Sequence, residues 1–303
     1  MAPRAESASQ YRNAARQWED LGYSTLYVPD HFVDHPLAPI PAMAMVAEAT
    51  QHLRVGSLVL GNDYKHPVVL AREAATLDLL SDGRLELGVG AGWMTVDYEK
   101  AGLPLDPPGR RVDRLAESIT VLKGLFDEGP FTFHGEHYQI DDLDGSPKPV
   151  QKPGPPIVIG GGAKRVLSLA AREADIVGIN ANLRLGEAEH PDTAKSLSGA
   201  ATDQKLSWVR EAAGPRFDDL EIQQYAGFVF FTDDRESLAE AMAPAFGVTP
   251  DVALETPIAI VGTAEQMVDD LLARRERWQM SYIVVDDAIA EQFAPVVSRL
   301  AGK

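Results

Sequence analysis

The segment Ser24-Thr25-Leu26-Tyr27-Val28-Pro29-Asp30-His31-Phe32 indicates both a fold and a site. Residues 25–28 are β-branched, apolar or aromatic, which predicts a buried strand. Asp30 and His31 then place an acid and an imidazole at the carboxyl end of that strand. The alternative interpretation is a loop in which Asp30 caps the next helix and His31 is solvated. Glycine-rich turns later in the chain favour the site.

Short apolar runs alternate with helical periodicity along the rest of the chain. Because these runs are apolar almost throughout, they predict a parallel sheet that is buried on both faces. The other predicted strands cover residues 53–60, 85–89, 156–159, 176–179, 221–231 and 282–285. The predicted helices cover residues 8–21, 41–49, 67–80, 110–126, 165–174, 234–246, 264–278 and 290–300. The alternation predicts an α/β fold, a (β/α)8 TIM barrel with insertions.

Three segments interrupt this alternation. We expect insertions near residues 127–156, 182–203 and 249–257. The first includes a hairpin over residues 131–140, and the second is a polar loop over the barrel mouth. None has the composition of a domain linker, so we predict a single domain over residues 1–303.

The first predicted helix has no strand signal before it. Residues 1–6 contain no β-branched or aromatic run, so we expect the first barrel strand to be missing from this chain. We expect the true start to lie upstream.

Composition limits the classes of function. With 45 acidic and 28 basic residues the net charge is -17, which disfavours nucleic acid or an anionic membrane as a partner. The chain has no cysteine, which excludes disulfides, thiolate metal sites and cysteine nucleophiles and points to a reducing cytoplasm. We predict a cytoplasmic protein with a small-molecule substrate and no metal site.

Two glycine-rich turns follow predicted strands. In Gly88-Val89-Gly90-Ala91-Gly92-Trp93 the glycines allow positive φ and a close approach of a ligand, although a tight turn without a ligand is the alternative. The spacing is a weak dinucleotide signal, because no regular crossover helix and no suitably placed acid follow it. Gly160-Gly161-Gly162-Ala163-Lys164 lies between a strand and a helix, where free N–H groups, the helix dipole and Lys164 favour an anion. Asn62, in the turn after the second strand, is predicted to face the same barrel mouth.

Taken in order, these motifs resemble the luciferase-like monooxygenase superfamily, and most closely its coenzyme F420-dependent oxidoreductase branch. The resemblance runs from Tyr11 to nearly the end of the chain. It rests on residues 29–32, Val55-Gly56 with His66-Pro67, residues 81–93, and Gly160–162 with Ala174-Asp175. It implies a (β/α)8 barrel, a flavin or deazaflavin at the mouth formed by the carboxyl ends of the strands, and a homodimer.

The resemblance also implies roles for individual residues. Asp30 and His31 match an Asp-His pair beside the chromophore, in which His31 is the candidate for proton transfer and Asp30 tunes or orients it. Leu58 and Val59 match the position of a non-prolyl cis peptide that supports the central ring.

Further cofactor-binding residues are implied in the same way. The residues assigned to the ring and tail, including the phosphate cradle and the polyol contact, are Asn62, Gly90, Gly92, Trp93, Gly160, Gly161, Gly162, Ala163, Lys164 and Asn180. One position departs from the sugar-phosphate dehydrogenases of the superfamily, which carry a catalytic glutamate where Ala91 stands here. This departure argues against that activity.

The resulting hypothesis is an oxidoreductase that transfers a hydride between coenzyme F420 and an unidentified small organic substrate. The runner-up is an FMN-dependent two-component monooxygenase, which would use dioxygen and a separate reductase. A non-catalytic flavin-binding barrel is the third possibility.

Overall fold

The computed structural model describes residue 1 and residues 5–33, 35, 37–183, 193 and 195–302. The chain divides into two compact units. The N-terminal unit comprises residues 2–19 and 24–159, and the C-terminal unit comprises residue 1, residues 20–23 and residues 160–303. A single domain over the whole chain stays a prediction.

The N-terminal unit contains parallel strands that alternate with helices. Its strands are β1 (Thr25–Val28), β2 (Arg54–Ser57), β3 (Leu60–Gly61), β4 (Leu85–Gly90), β5 (Pro130–His134), β6 (Gln139–Asp144) and the first part of β7 (Ile157–Gly161). Its helices are α1 (Ala8–Asp20), α2 (Pro39–Ala49), α3 (Pro67–Leu80), α4 (Thr95–Ala101) and α5 (Pro108–Phe126). β1 pairs with β2, β2 with β4, and β4 with β7, all in parallel. The predicted α/β class is confirmed.

The predicted strand 53–60 is interrupted by a cis peptide bond between Leu58 and Val59. β2 therefore ends at Ser57, and β3 resumes at Leu60 beside the carboxyl end of β4. Ser57 Oγ donates to the Gly88 carbonyl at 2.8 Å and accepts from the Gly88 N–H at 3.0 Å. A Cβ at Gly88 would lie 1.9 Å from the Ser57 carbonyl oxygen, so β4 needs glycine there.

The predicted hairpin is present as the antiparallel pair β5–β6. Glu117 on α5 holds its turn, because the carboxylate accepts the N–H groups of Glu136, His137 and Tyr138. The sequence reading missed α4, a short helix directly after the Gly92-Trp93 turn.

The C-terminal unit has its own parallel strands. They are β8 (Ile176–Ile179), β9 (Glu221–Ala226), β10 (Phe228–Phe231), β11 (Ala259–Gly262) and β12 (Met280–Val285). Its helices are α6 (Lys164–Glu173), α7 (Gly199–Ala213), α8 (Arg235–Phe246), α9 (Pro250–Glu255), α10 (Ala264–Trp278) and α11 (Ala290–Leu300). β9 pairs with β8 and β12, and β10 pairs with β11. Ile260, Met267, Leu271 and Phe293 are buried in its core.

Three boundaries differ from the sequence reading. The predicted strand 221–231 is two strands with different partners, because the chain leaves the β8–β9–β12 ladder after Ala226. The insertion near 249–257 contains α9 and is followed by an unpredicted strand, β11. In the segment 182–203, α7 begins at Gly199, where the Ser198 side chain accepts from the Ala201 N–H, while residues 184–192 and 194 lie outside the described residues.

The missing first strand stays a prediction, because residues 2–4 lie outside the part of the chain that the structure describes. Over the described residues, no helix has the length and apolar character needed to cross a membrane.

The packing of the cis segment predicts a specific pattern of destabilisation. A Cβ at Gly90 would lie 2.5 Å from Val59 Cγ2, a side-chain atom that Val59→Ala removes. We expect Gly90→Ala to lower the free energy of unfolding by about 1–3 kcal/mol and the double variant Val59→Ala/Gly90→Ala to recover part of that loss. At Gly88 the added Cβ would lie 1.9 Å from the Ser57 carbonyl oxygen, which Val59→Ala does not remove. Val59→Ala should therefore not restore the stability of Gly88→Ala. Urea denaturation of the wild type, the three single variants and the two double variants measures this, and equal rescue of both glycine variants would contradict the packing.

Candidate functional site

His31 is held by a buried carboxylate in the N-terminal unit. His31 Nδ1 lies 2.6 Å from Asp97 Oδ2, and the Asp97 side chain is completely buried. The other oxygen, Asp97 Oδ1, accepts the N–H groups of Phe32 at 3.0 Å and Val33 at 3.1 Å. One carboxylate therefore fixes both the imidazole and the chain that follows it.

Asp97 is a candidate site residue that the sequence analysis does not identify. The sequence predicts no regular helix after Trp93, whereas α4 begins at Thr95 and carries Asp97 in its first turn. An acid in the first turn of a short helix was the available signal.

Asp30 makes no hydrogen bond to His31 among the residues that the structure describes, and its predicted role in tuning or orienting His31 stays a prediction. Its Oδ2 instead accepts the Gly61 N–H at 3.0 Å and so links the end of β1 to β3. Burial raises the pKa of Asp30, and this effect outweighs the Gly61 hydrogen bond and the nearby Lys65 ammonium, which act in the opposite direction. Its catalytic role stays a prediction.

The Gly92-Trp93 turn lies beside His31. The rings of His31 and Trp93 meet edge to face with centroids 5.7 Å apart. Gly92 has φ of 75°, and a Cβ there would clash with the Tyr98 hydroxyl, so glycine is required for two reasons. The buried Arg111 guanidinium donates to the carbonyls of Ala91 and Gly92 and holds the turn.

The remaining predicted residues of this unit surround the cis peptide. The bond predicted at Leu58-Val59 is present, and the Val59 side chain packs over Gly90. Asn62 is buried, and its Nδ2 donates to the Tyr138 hydroxyl of the hairpin at 3.3 Å. Asn62 Oδ1 is buried and has no hydrogen-bond partner among the described residues, so it can accept a bond from a ligand.

The second glycine turn, in the C-terminal unit, joins the end of β7 to α6 as predicted. The glycines are required by packing within the protein. A Cβ at Gly161 would lie 2.3 Å from Val166 Cγ1, and one at Gly162 would lie 2.1 Å from the Ala181 carbonyl oxygen. Asn180 lies at the end of β8, where its N–H donates to the Gly161 carbonyl at 2.9 Å.

The cation predicted at this turn is already paired. Lys164 Nζ lies 3.0 Å from Glu211 Oε2 on α7, and both side chains are more than half exposed. The N-cap of α6 is Ala163, whose side chain makes no cap hydrogen bond, and the N-terminus of a helix favours an anion. A second lysine, Lys205, is buried and donates to the carbonyls of Asn180 at 2.6 Å and Ser196 at 2.5 Å. Burial lowers the pKa of Lys205 to about 8.

The site residues of the N-terminal unit fit the ring of a flavin-type cofactor. Taken separately, the glycine turn of the C-terminal unit fits a phosphate group. The N-terminal unit offers an imidazole, an indole and an unpaired amide oxygen. The C-terminal unit offers an uncapped helix N-terminus with a lysine in the first turn, which suits a phosphate.

Comparison with known proteins identifies the family. The model of the luciferase-like monooxygenase family matches residues 1–281. The chain belongs to the luciferase-like monooxygenase family. The resemblance seen in the sequence is thereby confirmed.

Luciferase-like relatives with different cofactors match parts of the chain. The FMNH(2)-dependent dimethylsulfone monooxygenase of Pseudomonas putida is 33% identical over 134 residues, which is 44% of this chain and 37% of that protein. The F420-dependent glucose-6-phosphate dehydrogenase of Amycolatopsis mediterranei is 31% identical over 164 residues, which is 52% of this chain and 49% of that protein. The chain spans less than two thirds of the length of these curated relatives.

A solved structure extends the likeness to the whole fold. An F420-dependent secondary alcohol dehydrogenase in complex with an F420-acetone adduct superposes with a TM-score of 0.75 at 17% sequence identity. The match covers 98% of this chain and 96% of that one. The predicted luciferase-like TIM-barrel fold is confirmed.

The raised pKa of Asp30 predicts a pH dependence of stability. The folded protein binds the Asp30 proton more tightly than the unfolded chain, so this group's contribution to the free energy of unfolding is full below the unfolded pKa of 3.8 and declines as the pH rises through the folded pKa. The free energy of unfolding of the wild type minus that of Asp30→Asn should therefore fall as the pH rises above 3.8. Urea denaturation at a series of pH values measures both free energies.

Asp234→Asn is the control, because the pKa of Asp234 is shifted in the opposite direction and its contribution to stability should change with pH in the opposite direction. Hydrogen bonds from the Ser237 hydroxyl and N–H lower its pKa. The free energy of unfolding of the wild type minus that of Asp234→Asn should therefore rise with pH below 3.8 and level off above 3.8, the pKa of the unfolded group. Two slopes of the same sign would contradict the account of Asp30.

Proposed function

We propose that this luciferase-like oxidoreductase transfers a hydride between coenzyme F420 and a small organic substrate, and that His31 transfers the accompanying proton. The observation that carries the proposal is the His31–Asp97 pair at 2.6 Å, beside Trp93. Reduced coenzyme F420, when bound, supplies a hydride and leaves the proton to the protein. An oriented imidazole is suited to that task near neutral pH.

Each unit has its own part in this proposal. In the N-terminal unit, Trp93, Leu58 and Val59 would flank the ring, and Asn62 Oδ1 would accept a hydrogen bond from the ligand. In the C-terminal unit, taken by itself, the N–H groups at Ala163 and Lys164 would hold a phosphate group, with Asn180 beside them. Ala91, which replaces the glutamate of sugar-phosphate dehydrogenases, favours a substrate other than a sugar phosphate.

The second candidate is an FMN-dependent monooxygenase, and the dimethylsulfone monooxygenase relative supports it. This route would need dioxygen and a separate reductase. The resemblance also predicts a homodimer for either candidate.

The two candidates differ in what they consume. We expect the full chain to oxidise reduced coenzyme F420 anaerobically when offered a panel of ketones, aldehydes and activated alkenes, as followed by the return of the coenzyme's visible absorbance. The FMN route predicts no anaerobic turnover and instead oxygen consumption with reduced FMN and the same panel. A chain that binds cofactor but turns over under neither condition would favour the non-catalytic barrel.

His31→Ala tests the proton-transfer role. We expect turnover to fall by roughly 100- to 10,000-fold with little change in cofactor affinity, because a general acid acts in the transition state. His134→Ala is the matched control, since His134 is exposed on the hairpin and pairs with Asp141. Wild-type turnover in His31→Ala would remove His31 from the mechanism.

The Lys164–Glu211 pair tests the phosphate position without disturbing the core. Lys164→Gln should weaken cofactor binding by about two- to fivefold, and Glu211→Gln should strengthen it by a similar factor. The effects are small because the ion pair is exposed, and their signs differ because Glu211 competes with the phosphate for the Lys164 ammonium. Equilibrium titration measures both variants. Gly161→Val is less informative, because its side chain would collide with Val166. Unchanged affinity in both charge variants would remove the phosphate from this turn.

A further inference from the structure

We propose that Asp97 is a positioning residue that keeps the neutral His31 ring protonated on Nδ1 and so leaves Nε2 as the atom that exchanges the proton with substrate. The tautomer part of this proposal rests on geometry alone. Its consequence for turnover rests on the function proposed above.

The geometry fixes the direction of the hydrogen bond. An ionised carboxylate only accepts, so His31 Nδ1 must be the donor across the 2.6 Å contact. The Phe32 and Val33 N–H groups converge on the other oxygen and prevent the carboxylate from turning. Asp97 lies on α4 and is completely buried, so bulk water does not compete for either oxygen.

The proton balance follows from this arrangement. When the substrate accepts a hydride, the Nε2–H bond of the imidazolium breaks, its electron pair stays on Nε2, and the proton goes to the substrate atom that has received the electron pair. The Nδ1–H bond to Asp97 is unchanged throughout. Nε2 must take up a proton again before the next turnover.

Asp97→Asn should reverse the tautomer. The Phe32 and Val33 N–H groups require an acceptor, so the amide oxygen takes the place of Oδ1. The NH₂ group then takes the place of Oδ2 and faces His31 Nδ1, which must become an acceptor. The proton of the neutral ring then lies on Nε2, and the unprotonated nitrogen is Nδ1 instead of Nε2.

The test is nitrogen NMR of the full chain labelled with ¹⁵N-histidine, at a pH where the rings are neutral and without cofactor or substrate. The chain has 7 histidines, and the His31 signals are those missing from His31→Ala. We expect a protonated Nδ1 in the wild type and a protonated Nε2 in Asp97→Asn. Asp63→Asn is the matched control, because Asp63 is a buried carboxylate that pairs with Tyr98 and Arg114 rather than with His31, and it should keep the wild-type tautomer.

A protonated Nε2 in the wild type would overturn the proposal, and this measurement needs no variant to fold. A protonated Nδ1 in folded Asp97→Asn would overturn it as well. With an active substrate, Asp97→Asn should lower kcat by roughly 100-fold or more and leave KM nearly unchanged. If the wild type proves inactive with coenzyme F420 but shows the expected tautomers, the proposed function fails and the role of Asp97 in holding His31 stands.

Discussion

The buried Asp97 carboxylate is the contact on which the N-terminal part of the site depends. It receives three hydrogen bonds, from His31, Phe32 and Val33, and thereby joins the chain after β1 to the first turn of α4. A buried carboxylate is costly unless donors satisfy it, and these three donors come from one short segment. The same bonds that stabilise Asp97 therefore set the position of the imidazole.

Close packing of backbone around the cis peptide is the second constraint. Gly88 lets the Ser57 carbonyl approach β4, and Gly90 leaves room for Val59. The glycines that suggested a ligand-binding turn in the sequence thus also have a structural reason, and only Gly92 among them has positive φ. The same is true of Gly161 and Gly162, which pack against Val166 and Ala181. A glycine-rich turn therefore locates the site without showing which glycine contacts the cofactor.

The sequence predicted most of the fold because alternating strands and amphipathic helices leave a local pattern. The helices 67–80, 264–278 and 290–300 and the strand 176–179 have the predicted bounds. The sequence does not reveal the strand breaks after Ser57 and Ala226, because apolar residues continue on both sides of each break. β3 keeps β4 as its partner, whereas β10 pairs with β11 instead of β8 and β12. Of the site, His31, Trp93 and the cis bond were predicted through the family motif. Asp97 was not, because its partner lies 66 residues earlier in the sequence and the pairing depends on tertiary structure.

We propose that coenzyme F420 binds beside His31 and Trp93. Titration of the full chain with oxidised coenzyme F420 or with FMN, followed by tryptophan fluorescence, tests it most directly, with Trp93→Phe to identify the responding indole. We expect saturable quenching by coenzyme F420 at lower concentrations than by FMN, and loss of most of that quenching in Trp93→Phe. Tighter saturation by FMN, or quenching that Trp93→Phe leaves intact, would contradict it.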